Sequence, residues 1–102
     1  MANVRPEGCR VEKIKVITNT GTHLMLVCTE PEGQDYWLRP GESLELRADI
    51  ASGDEDFEIS THDQGLTAYP TTDMGYISAW SDGKELPCGH QRPIGFGNRV
   101  AN

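Results

Sequence analysis

Turn-forming clusters interrupt this chain about every ten residues, and that spacing decides what it can fold into. Asn19-Thr20-Gly21, Pro31-Glu32-Gly33, Arg39-Pro40-Gly41-Glu42, residues 62–65 and Ser81-Asp82-Gly83-Lys84 each combine residues that tolerate positive φ or fix a turn. The intervals are too short for helices of ordinary length. They suit short strands, and within several of them apolar and polar residues alternate with the period of two that a half-buried strand requires. Eleven glycines and six prolines among 102 residues disfavour long helices further.

The pattern predicts about seven strands. Val11–Thr18 is the first, with Ile14 and Val16 on one face and Lys13, Lys15 and Ile17 on the other. Residues 24–30 form the second, with Leu24, Leu26 and Cys28 expected inward and Met25 and Val27 outward. Residues 34–38 follow. The clearest is 43–48, where Leu44, Leu46 and Ala48 alternate with Ser43, Glu45 and Arg47. Residues 57–61, 66–70 and 74–80 complete the set, with Tyr76 and Trp80 expected in the core. Asp82-Gly83 marks a tight hairpin turn.

These intervals describe a small all-β domain, an antiparallel β-sandwich or a partly open barrel. Residues 1–10 read as an N-terminal arm, 11–85 as the sandwich and 86–102 as an irregular C-terminal tail with no sustained period. Over residues 11–48, the order of strand, Asn-Thr-Gly, strand, Pro-Gly-Glu-Ser, strand resembles that of bacterial immunoglobulin-like sandwich domains. The resemblance implies a sandwich and carries no function, because the shared residues encode turns.

Charge narrows the choice of partner. The net charge is −7, which disfavours nucleic acid and anionic membrane, since both need clustered Lys and Arg. Residues 1–15 and 84–102 carry a net +2 each around a centre of −11. The basic ends either fold back on their own domain or lie on a neighbouring subunit's acidic body. No apolar leader or 18-residue apolar stretch occurs, so the expectation is a cytoplasmic protein or one assembled into a particle. Three cysteines do not make a disulfide framework; Cys9 and Cys88 could bridge, but three reduced thiols are the simpler expectation.

Few residues suggest chemistry. Cys88 and His90 could join a soft-metal site, and Asp54, Asp56 and Glu58, in the acidic stretch 49–58, could bind calcium. Neither has the spacing of an established motif. No nucleophile elbow or phosphate loop is present, so no catalytic residue and no cofactor is assigned. The expectation is therefore a non-enzymatic protein-interaction or assembly module, a homo-oligomer or a structural subunit of a larger assembly of the capsid-decorating or appendage type. A small metal- or ligand-binding domain is the alternative. The outward apolar residues Met25 and Val27, with Ile17 and Trp37, form the candidate partner interface.

Overall fold

The computed structural model describes residues 11–50, 56–71 and 74–95, and they contain no helix. The strands are β1 (Val11–Thr18), β2 (Met25–Thr29), β3 (Gln34–Leu38), β4 (Ser43–Ile50), β5 (Glu58–His62), β6 (Gly65–Tyr69), β7 (Ser78–Ser81) and β8 (Lys84–Glu85). They form two four-stranded sheets, ordered β1-β4-β7-β8 and β3-β2-β6-β5. All neighbours are antiparallel except β2 and β6. The strand beyond the expected seven is the two-residue β8. It returns along β7 through a turn with Asp82 and Gly83 both at positive φ, 51° and 78°, the geometry Asp-Gly favours. The stretch 74–80 is strand only from Ser78; Met74 makes an isolated bridge to Ile50.

One core lies between the sheets. Ile17, Leu44, Leu46, Ala48 and Ala79 come from the first sheet, and Val27, Tyr36, Leu38 and Ala68 from the second. Gly65 opens β6 where it meets β2. A Cβ there would lie 1.9 Å from the Leu26 carbonyl oxygen, at φ +152°. Only glycine lets the parallel pair approach so closely.

Two strands turn their faces the other way from the sequence expectation. In β1, Ile17 stands opposite Leu44, Lys15 opposite Leu46 and Lys13 opposite Ala48. Residues directly opposite share a face, so the lysines line the core side and Ile14 and Val16 point to solvent. At a sheet edge a lysine can do this, because its stem lies along apolar surface while its ammonium reaches water; Lys15 Nζ ends 3.8 Å from Asp56 Oδ2. In β2, Met25 and Val27 face the core. Leu26 and Cys28 face outward, opposite Trp37 and Asp35 of β3.

The residues after β8 explain why that outer face is also apolar. Residues 86–92 form no strand, yet they are fixed along the outer edge of β3. The Gly89 amide donates to the Asp35 carbonyl at 2.6 Å, and the Trp37 amide donates to the His90 carbonyl at 2.9 Å. The Gln91 side-chain Nε2 donates to Trp37 O at 2.8 Å and to Glu42 Oε1 at 2.9 Å. Arg92 grips Asp35 with two hydrogen bonds, Nε to Oδ2 at 2.8 Å and Nη2 to Oδ1 at 2.6 Å. At the same end Asn19, almost fully buried, ties two turns together: Nδ2 donates to His23 O and Leu38 O, both at 2.8 Å.

Candidate interaction surface

The outer face of the β1-β4-β7-β8 sheet is built from two rows of opposed residues. One row runs Val16, Glu45, Trp80, Glu85 and the other Ile14, Arg47, Ser78. Ile14 is 46% exposed and Val16 61%. Both are β-branched side chains on a strand that favours them locally, and nothing among the described residues covers them.

Arg47 organises the centre of this face. Its Nε and Nη2 both donate to Glu45 Oε1, at 3.0 and 2.6 Å. Its guanidinium carbon lies 4.5 Å from the Trp80 ring centre. Trp80 Nε1 donates to Ser78 Oγ at 2.8 Å, which fixes the ring's orientation. Such a cation–π contact is worth about 0.5–1 kcal/mol at an exposed site. The stacked Arg47–Trp80 pair is thus held in place before any partner arrives. Trp and Arg are the side chains that most often dominate protein interfaces, and a pre-ordered pair loses little entropy on docking. Trp80 is half-buried here and Tyr76 is exposed, so neither is a core residue.

The residues expected to form an interface lie elsewhere. Ile17, Val27 and Trp37 are buried, and Met25 packs against the core. Trp37 sits on the outer face of β3, beside a shallow cleft whose rim includes Pro93 and Ile94. In their place the structure presents Ile14, Val16, Arg47 and Trp80. The signal that finds them is the alternation of 43–48: once β1 is paired to that strand with Ile17 opposite Leu44, Ile14 and Val16 must point out.

The possible ligands of a metal do not converge. Cys88 Sγ turns to Asp35 Oδ1 at 3.5 Å, while His90 lines a different cleft with Leu38, Glu42 and Lys84. Asp56 pairs with Lys15 and accepts the Phe57 amide at 2.7 Å, and Glu58 is exposed. Asp54 lies outside the described residues, as does Cys9. Among the described residues no group of three or more His, Cys, Asp or Glu side chains gathers to hold a metal. Cys28 and Cys88 are free thiols. Burial, then the carboxylates of Asp35 and Glu30, pushes the Cys28 thiol above its usual range.

Asp35 is the most perturbed carboxylate. The Arg92 hydrogen bonds outweigh the opposing effect of burial, and with the Trp37 Nε1 donor at 2.8 Å they hold it at about 2. Its other partners, Arg92 and Cys88, lie in residues 86–92, so its role in the structure is to fasten that segment.

Comparison with family models, curated proteins and solved structures yields no match. No described helix is long and apolar enough to cross a membrane.

Proposed function

We propose that this chain is a non-enzymatic assembly module, an immunoglobulin-like β-sandwich that docks protein through the outer face of its β1-β4-β7-β8 sheet, as a structural subunit of a larger assembly. The observation that carries the reading is the alignment of Ile14 and Val16 beside the Arg47–Trp80 stack. Two exposed aliphatic side chains, one Trp and one Arg on one sheet face combine the apolar surface and specific anchor that protein interfaces use. The net charge of −7 favours a protein partner over nucleic acid or anionic membrane.

The test is absolute mass by light scattering over a dilution series, for the natural chain and for Val16→Glu. A charge at Val16, 61% exposed on the edge strand β1, enters this face without touching the core. An oligomer that Val16→Glu dissociates supports the reading. A natural chain and variant of the same mass at every concentration refute self-assembly through this face.

A further inference from the structure

A free sheet edge is a template for another strand, and folded proteins guard their edges. Three of the four edges carry a guard. β3 is bonded by Gly89 and His90. β8 is only two residues long. β1 turns Lys13 and Lys15 to the core side, and an antiparallel β1–β1 pairing centred on Ile14 would set Lys13 opposite Lys15 of the second copy twice over. Inward-pointing lysines are a known protection against edge pairing. The fourth edge, β5 (Glu58–His62), has neither proline nor lysine, only Ile59 among its five residues is not exposed, and among the described residues no strand pairs with its outer side.

The backbone groups that β5 leaves unpaired follow from its hairpin. The two-residue loop Asp63-Gln64 joins it to β6, with His62 opposite Gly65. In such a hairpin the closing pair exchanges hydrogen bonds, and the antiparallel pattern then alternates. His62, Ser60 and Glu58 therefore bond to β6, while the N–H and C=O groups of Ile59 and Thr61 point off the sheet.

We propose that β5 pairs antiparallel with β5 of a second copy across a twofold axis at Ser60. Ile59 then exchanges two hydrogen bonds with Thr61 of the second copy, and Thr61 does the same with Ile59 of the second copy. In this register Glu58 stands opposite His62 of the second copy at both ends, on the outer face, where the carboxylate can accept a hydrogen bond from the imidazole. It is also the register that uses all five residues of both strands. Lys13 and Lys15, on the β1 edge of the other sheet, repel their counterparts, and the junction is confined to the β5 layer. The β3-β2-β6-β5 sheet becomes a continuous sheet of eight strands. This surface is separate from the Ile14–Val16 face, and the inference stands whether or not that face docks a partner.

Sedimentation equilibrium at neutral pH tests it, with circular dichroism confirming that each variant is folded. The natural chain should show a reversible monomer–dimer equilibrium. Thr61→Pro removes a donor that points away from β6, so the intramolecular ladder keeps its bonds; it should be folded and monomeric. His62→Glu sets Glu58 against a like charge at both ends and should raise the dimer dissociation constant at least about fivefold. Adding Glu58→Lys to His62→Glu sets opposite charges there and should bring the constant back toward the natural value. Val16→Glu, which removes any association through the Ile14–Val16 face, should leave the β5 dimer in place. A natural chain that stays monomeric up to about 1 mM overturns the proposal. So does a folded Thr61→Pro that dimerises normally, a double variant no tighter than His62→Glu alone, or a Val16→Glu chain that stays monomeric up to about 1 mM.

Discussion

Arg92→Ala should loosen the segment that guards β3, and the loss should depend on pH in one direction only. Asp35 is 8% exposed at its side chain and Arg92 41%. In the folded chain the Asp35 carboxyl is lowered from 3.8 to about 2, first by the Arg92 hydrogen bonds. At about 1.4 kcal/mol per pH unit, that depression is worth about 2 kcal/mol of folding stability. Trp37 Nε1 and the Cys88 thiol supply part of it, and water reaches the exposed side of Arg92, so the variant should lose about 1–2 kcal/mol at neutral pH. The sign follows from the direction of the shift. A depressed carboxylate contributes fully above its unfolded value of 3.8, and the contribution fades as pH falls toward 2. Urea denaturation monitored by tryptophan fluorescence at neutral pH, pH 4 and pH 2 measures the difference between the natural chain and the variant. It should be largest at neutral pH and close to zero at pH 2. A difference that is constant with pH, or that grows on acidification, would show that Arg92 acts through packing and not through the Asp35 charge.

Two further substitutions probe the core. The Thr29 hydroxyl oxygen is buried without a hydrogen-bond partner; Thr29→Val keeps the shape, removes an unpaired polar group and should raise stability by about 1 kcal/mol in the same denaturation assay. Gly65→Ala forces a Cβ toward the Leu26 carbonyl and a positive φ on alanine. It should cost about 3 kcal/mol or more, seen as a midpoint shift or outright loss of the cooperative transition. An alanine variant of natural stability would mean that β6 does not approach β2 as described.

How much of this could be read from sequence depended on whether each strand's two faces differ. In 43–48 they do, and Leu44, Leu46 and Ala48 were assigned inward correctly. The Asp82-Gly83 turn was equally legible, because its residue types fix its backbone. In Met25–Thr29 the faces do not differ: Leu26 and Val27 are both buried, one opposite Trp37 on the outer face and the other in the core. A run that is apolar on both sides carries no period, so inside and outside were exchanged. The same cause hid the candidate interaction surface. With Lys13 and Lys15 on the core side, β1 looks inverted until its register with β4 is known. The anchoring of 86–92 was beyond any local pattern, since Arg92 meets Asp35 across 57 positions.

That separation has a consequence during synthesis. A ribosome adding roughly 5–20 residues per second completes β3 several seconds before it adds Arg92. Once β3 has left the ribosome and paired with β2, its other side carries bare amides until residues 89 and 90 reach it. The nascent chain therefore passes through a stage in which β3 is open to any passing strand, and the stage ends when the 86–92 segment arrives.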